Sequence, residues 1–166
     1  MNLDAIIGGS RVFVDANVVL YAIQHRSRQC RAFLARCESG AVEGAISTIV
    51  LAEIAHRRMT QEAQQRGLTG GNPSRLLAAK PELVRQLSVY AQDVRDLLDG
   101  GLTVETVNPE DFLVALEIQE QHGLLTNDAL NLAVAKRLGI HEIATADRSF
   151  DGVQGVIVYR PEDLLT

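Results

Sequence analysis

The run Arg11-Val12-Phe13-Val14 stops at Asp15-Ala16-Asn17 and gives way to the apolar stretch Val18 to Ile23. β-Branched and aromatic residues suit a pleated, half-buried strand, and an acid or amide ahead of an apolar stretch suits the start of a helix. The pattern reads strand, polar turn, helix, and it recurs. Ala45-Ile46 is a brief strand candidate before Ser47-Thr48, which can cap a helix over Ile49 to Met59 that carries Glu53. Leu102 to Val107 alternates as a strand. Asn108-Pro109-Glu110-Asp111 then supplies a cap, a proline at the first helical position and first-turn acids for a helix that Gly123 stops. Thr126-Asn127 can cap the next helix, with Asp128 in its first turn, Ala129 to Leu138 as its body and Gly139 as its end. Ile140 to Ala144 leads as a strand into Thr145-Ala146-Asp147, and Val156 to Tyr159 is a last strand before a short terminal helical turn. Strands alternating with helices indicate an α/β fold around a mainly parallel sheet.

Two further helices are expected. Cys30, Phe33, Leu34 and Cys37 fall on one face of a helix over Arg28 to Glu38 that Gly40 closes, so the two cysteines read as buried thiols rather than a disulfide. Neither pairs in spacing with His25, His56, His122 or His141, which removes a zinc reading. Leu83, Leu87, Tyr90, Val94 and Leu97 form a second stripe ending at Gly100-Gly101. Between them, Gly67, Gly70-Gly71 and Asn72-Pro73 mark a loop in a basic stretch, and residues 60–82 are expected to be a flexible or substrate-facing insertion.

The chain of 166 residues is long enough for one domain with a real core. No apolar run approaches the ~20 residues of a membrane span, and Met1-Asn2-Leu3-Asp4 lacks the basic start of an export signal, so no membrane partner and a cytoplasmic location are expected. Net charge is −5, divided as +4 over residues 1–85 and −9 over residues 86–166. The acidic excess speaks against loose, charge-driven nucleic-acid binding; it means a solvated acidic face or carboxylates gathered around cations.

In open parallel sheets, ligands bind beyond the carboxyl ends of the strands, so acids at those ends converge even when distant in sequence. Asp15 and Asp147 each follow a strand, Asp128 opens a helix and Glu53 lies on the helix after the second strand. Four clustered carboxylates repel unless a cation compensates, and an all-oxygen donor set suits Mg²⁺ or Mn²⁺. Each acid has a plainer alternative. Asp15 or Asn17 can cap a helix, Asp128 can favour a helix dipole, Glu53 can be a surface acid, and Asp147 and Asp151 can be turn residues.

Val-Phe-Val-Asp15-Ala-Asn17, Ser47-Thr-Ile-Val-Leu-Ala-Glu53, Thr126-Asn-Asp128-Ala-Leu-Asn and Ala-Thr145-Ala-Asp147-Arg-Ser-Phe150-Asp151 together resemble the four successive motifs of the PIN domain, across nearly the whole chain. The resemblance implies a three-layer α/β/α fold with about four to five strands and Mg²⁺- or Mn²⁺-dependent endoribonuclease activity. It implies metal-binding, catalytic acids at Asp15, Glu53, Asp128 and Asp147, Asp151 as an optional fifth, and supporting hydrogen bonds from Asn17 and Thr145. Ala16 stands where many members carry Thr or Ser. A short member is similar to the VapC-type toxins, which implies an antitoxin protein as partner, a homodimer and RNA as substrate. Arg57 and Arg58 are candidates for holding the RNA backbone.

Three other readings stay open at this level. A non-catalytic PIN-like module would bind RNA or protein while its acids do structural work. An RNA-processing nuclease would act outside any toxin–antitoxin pair. A phosphatase-like hydrolase would use Asp15 as nucleophile, although that chemistry usually wants an acid two residues on, where Asn17 stands.

Overall fold

The computed structural model describes residues 1–68 and 72–164. Among the described residues, five strands form one sheet: β1 (Arg11–Val14), β2 (Glu43–Ser47), β3 (Thr103–Glu105), β4 (Glu142–Ala144) and β5 (Ile157–Tyr159). Their order is β3-β2-β1-β4-β5, and every neighbouring pair is parallel. Helices flank the sheet in a three-layer α/β/α arrangement. They are α1 (Ala16–Ile23), α2 (Arg28–Glu38), α3 (Thr48–Gln65), α4 (Pro73–Ala79), α5 (Pro81–Val84), α6 (Val89–Asp99), α7 (Pro109–His122) and α8 (Thr126–Arg137). None of the described helices is long and apolar enough to cross a membrane.

A parallel sheet covered on both faces needs strands apolar on both sides, which is why Val12, Phe13 and Val14 are all buried. The main core gathers them with Phe33, Ile46, Ile54, Leu130 and Ile143. Burial of side chains this size contributes about 1.5–3 kcal/mol each before entropy is counted. Cys30 and Cys37 are free thiols within it, and burial pushes both up to about 11, so neither is a ready nucleophile. β2 passes so close beneath α2 that a side chain at Gly44 would collide with Cys37 Sγ and Leu102.

Local signals account for several helix ends. Ser47 caps α3 by accepting from the Val50 N–H. Asn108 and Asp111 form a capping box around Pro109, and Gly123 ends α7 in the left-handed conformation at φ 70°. Three expectations need correcting. Leu125, not Thr126 or Asn127, precedes the first helical residue of α8. Residues 161–164 form no terminal helical turn; instead Asp163 accepts from the Ser27 hydroxyl and from the Arg28 and Gln29 N–H groups, closing the start of α2.

The third correction concerns the stretch 60–82, which is largely helical rather than a flexible loop. α3 continues to Gln65, and α4 and α5 follow; Gly70-Gly71 lies outside the described residues. These helices build a satellite core from Ala63, Leu77 and Leu87, with Met59, Leu83 and Tyr90 packed against it. Two polar ties bind α3 to α6. Arg58 pairs with Asp93 at 2.6 Å, and the buried Glu62 carboxylate accepts from the Ser88 and Tyr90 N–H groups. Ser88 makes no side-chain cap of its own, so Glu62 serves as the missing cap of α6 from a neighbouring helix.

Candidate functional site

Strand order reverses between β1 and β4: β2 and β3 extend the sheet on one side of β1, β4 and β5 on the other. Such a switch point opens a crevice at the carboxyl ends of the strands. Val14 is in register with Ala144, so the next residues, Asp15 and Thr145, emerge side by side at the crevice. The adjoining cleft measures ≈ 570 Å³, and its walls include Asp15, Glu53, Asp128 and Asp147. β1, α3, α8 and the turn after β4 thus each deliver one acid to a common space.

Thr145 is the hub of this edge. Its fully buried hydroxyl donates to Asp15 Oδ2 at 2.6 Å and accepts from Asn17 Nδ2 at 3.2 Å and from the Asp147 N–H at 2.9 Å. A hydroxyl has one donor and two acceptor positions, and all three are used. Asn17 also donates to Asp15 Oδ2, while its Oδ1 accepts from the Ala146 N–H at 2.9 Å. Asn17 and Thr145 thus both donate to the Asp15 carboxylate.

The plain alternatives divide. Asp15 stands at the N-cap of α1 but makes no side-chain capping bond; its Oδ2 is turned toward Thr145 and Asn17. Asp147 does form a turn, accepting from the Ser149 N–H at 2.8 Å, while also lining the cleft from its exposed rim. Asp151 is absent from the cleft walls and pairs with Arg160 at 2.8 Å. Glu53 pairs with Arg57 at 2.8 Å across one turn of α3, and Arg57 is itself part of the wall. Arg58 is a correction: it is only 8% exposed and committed to Asp93 and Gln61, so it is an internal tie and not an RNA contact.

Crowding leaves an electrostatic mark. Desolvation raises the Asp15 carboxyl above its usual range, opposed by the Thr145 hydrogen bond and reinforced by the charges of Glu53 and Asp147. Asp128 is pushed up to about 6, first by desolvation and then by Asp15 and Asp147. Among the described residues, no three His, Cys, Asp or Glu side chains already enclose a cation-sized space. The donor set nevertheless fits a hard divalent ion, because Mg²⁺ keeps several waters and needs only one or two carboxylates directly. Acids held in the charged state against their own repulsion are relieved by such an ion.

One residue of the site carries a role that its sequence context did not disclose. Asn131, one turn beyond Asp128 on α8, accepts at Oδ1 from the buried Ser47 hydroxyl at 2.6 Å, fixing α8 to the junction of β2 and α3. The available signal was an amide inside the apolar body of a helix, which demands a buried partner.

The PIN domain family model matches residues 12–156, a span containing all four cleft acids. The chain belongs to the PIN-domain family. A relative, ribonuclease VapC6 of Methanocaldococcus jannaschii, is 26% identical over 156 residues, covering 91% of this chain and 97% of that protein. The structure of VapBC2 from Rickettsia felis, bound to a DNA fragment from its promoter, is similar with a TM-score of 0.59 and 18% identity, over 92% of this chain and 99% of that one. A toxin–antitoxin complex from Klebsiella pneumoniae is similar with a TM-score of 0.58 and 18% identity, over 88% and 95%. These two likenesses are of fold.

Proposed function

We propose that this PIN domain is an Mg²⁺- or Mn²⁺-dependent endoribonuclease, the toxin of a toxin–antitoxin pair. The observation that carries the reading is the delivery of Asp15, Glu53, Asp128 and Asp147 to one cleft at the sheet's switch point, with Asp15 raised by burial and by the charges of Glu53 and Asp147, and Asp128 by burial and by those of Asp15 and Asp147. Asp15, Asp128 and Asp147 would hold the cation, with Glu53 completing the set once Arg57 turns away from it. A bound divalent ion supplies Lewis-acid polarisation of an RNA phosphodiester and a lowered pKa for the attacking water.

The chain's own residues do the rest. The Thr145 hydroxyl opposes the desolvation of Asp15 and, with Asn17, fixes the direction of its carboxylate, and Arg57, with its side chain 59% exposed, would meet the phosphate backbone. Leu125, 76% exposed on the cleft wall, offers an apolar surface for a base. The names of the relatives support the toxin assignment and an antitoxin protein as partner. Exposed Phe112, Leu113 and Leu116 on α7 support a homodimer, which sedimentation would read. We read residues 1–166 as a single domain acting in the cytoplasm, where its RNA substrate is.

RNA cleavage by purified protein with Mg²⁺, Mn²⁺ or EDTA tests the chemistry. Asp15→Asn and Asp128→Asn should each abolish the metal-dependent cuts, and unchanged cleavage by either variant would defeat the reading. Growth arrest that depends on Asp15 and is relieved by the co-expressed neighbouring gene product tests the toxin role.

A further inference from the structure

We propose that Arg160 and Asp151 form a staple that positions Asp147, with Asp151 acting through Arg160 rather than as a ligand of the cation. This inference rests on the metal-site reading above. Arg160 Nη2 donates both to the Asp147 carbonyl at 2.9 Å and to Asp151 Oδ1 at 2.8 Å, so one nitrogen holds the two ends of the segment that carries Asp147.

The post behind this staple is firm. Arg160 follows β5; its N–H donates to the Met1 carbonyl at 2.7 Å, and its carbonyl accepts from the Leu3 N–H at 3.0 Å. β5 also receives the Thr145 N–H at the Tyr159 carbonyl, so the segment leaves β4 beside the residue that grips it. Within the segment, Asp147 accepts from the Ser149 N–H, the Asp151 N–H donates to the Arg148 carbonyl, and Phe150 is buried. Asp147 itself is exposed and comes from a turn rather than from a helix or strand, so its direction depends on these ties.

A guanidinium beside a cation site is unfavourable by Coulomb's law unless a carboxylate compensates it. Asp151 is that counter-charge, with its Oδ1 given over to Arg160. The fifth acid of the motif thus answers to an arginine and not to the ion.

Calorimetric titration of the full chain with Mn²⁺ alone, without RNA, tests the staple. Outer partners of metal ligands typically affect affinity by about 10- to 100-fold. Arg160→Ala should weaken Mn²⁺ binding roughly tenfold, although removing a positive charge should by itself tighten it. Asp151→Ala should weaken binding by a similar factor, Asp151→Asn should weaken it less because an acceptor oxygen remains, and the Asp151→Ala/Arg160→Ala double variant should bind no worse than Arg160→Ala alone. Full additivity in the double variant, equal losses in Asp151→Asn and Asp151→Ala, or no loss in Asp151→Ala would each overturn the staple. If Arg160→Ala does not fold, the contrast between the two variants of the exposed Asp151 decides alone. Asp147→Asn reports separately on the metal site: wild-type Mn²⁺ binding there would overturn the site and the staple together, whereas its loss with an unaffected Arg160→Ala overturns only the staple.

Discussion

Ser47 and Asn131 meet through a 2.6 Å hydrogen bond between side chains almost wholly withdrawn from solvent, and the same Ser47 oxygen accepts from the Val50 N–H. One hydroxyl therefore caps the helix carrying Glu53 and holds the helix carrying Asp128. Ser47→Ala removes the cap and leaves a buried amide without its donor. Urea unfolding should show a loss of about 1–3 kcal/mol. Mn²⁺ binding by the folded fraction should weaken as well.

Thr145→Val preserves shape but deletes three hydrogen bonds converging on Asp15, Asn17 and Asp147. Without the hydroxyl that opposes its desolvation, Asp15 should rise further, and the acidic limb of the cleavage–pH profile should move to higher pH. Metal affinity should fall about 10- to 100-fold, and Thr145→Ser should restore most of it.

Arg57 and Arg58 are neighbours in sequence with opposite expectations. Arg57→Ala should raise KM for RNA while leaving thermal stability nearly unchanged, since its pair with the half-buried Glu53 sits at the cleft surface with the Arg57 side chain exposed. Arg58→Ala strands Asp93 and should cost about 2–4 kcal/mol in urea unfolding. Folded Arg58→Ala protein should keep its RNA affinity.

Asp128 makes metal-free stability depend on pH with an unusual sign. Its folded value of about 6 lies above the unfolded carboxyl value, so the folded state binds more protons between about pH 4 and 6, and this group's contribution declines as pH rises through that window. Asp128→Asn should stabilise the metal-free protein at pH 7 by about 1–2 kcal/mol, after discounting for solvent screening. Metal should reverse the sign, because it binds the ionised acid and releases the proton. Chemical denaturation from pH 4 to 8, with EDTA and with Mg²⁺, reads both effects.

Glu62 should behave in the opposite way. Despite desolvation, the Tyr90, Ser88 and Val89 N–H groups and then Arg66 hold its carboxyl below the usual range. Its stabilisation is complete above the unfolded glutamate value near about 4.3 and is lost as pH falls through the lower folded value. Glu62→Gln should therefore lower stability at pH 7 and flatten the acid limb of the unfolding curve.

The convergence of the acids was readable where chemistry is local. Asp15 and Asp147 directly follow β-rich runs, and parallel pairing brings such ends together whatever the distance between them in sequence. Asn108-Pro109 and Gly123 likewise specify helix ends through their own backbone preferences. What escaped depended on partners far along the chain. Ile54, Arg58 and Glu62 lie four residues apart on one face of α3, but a charged pair at those positions looks solvated until Asp93 and the start of α6 are packed against it. The same holds for Asn131, whose partner lies 84 residues away, and for Asp163, which closes a helix more than a hundred residues earlier. Turn residues around Gly67 suggested a loop, but the apolar residues between them were enough to build a second small core.

That second core stands beside the main one on the shared helices α3 and α6. Ala63, Leu77 and Leu87 cluster apart from the main core, and α3 extends from Glu53 at the cleft to Glu62 beneath the satellite helices. The exposed positions of α4 and α5 can thus vary as an attachment, provided Leu77, Leu87 and the Arg58 and Glu62 fastenings survive. Selection can remodel what this domain meets on that side while the sheet edge that would hold the cation stays unchanged.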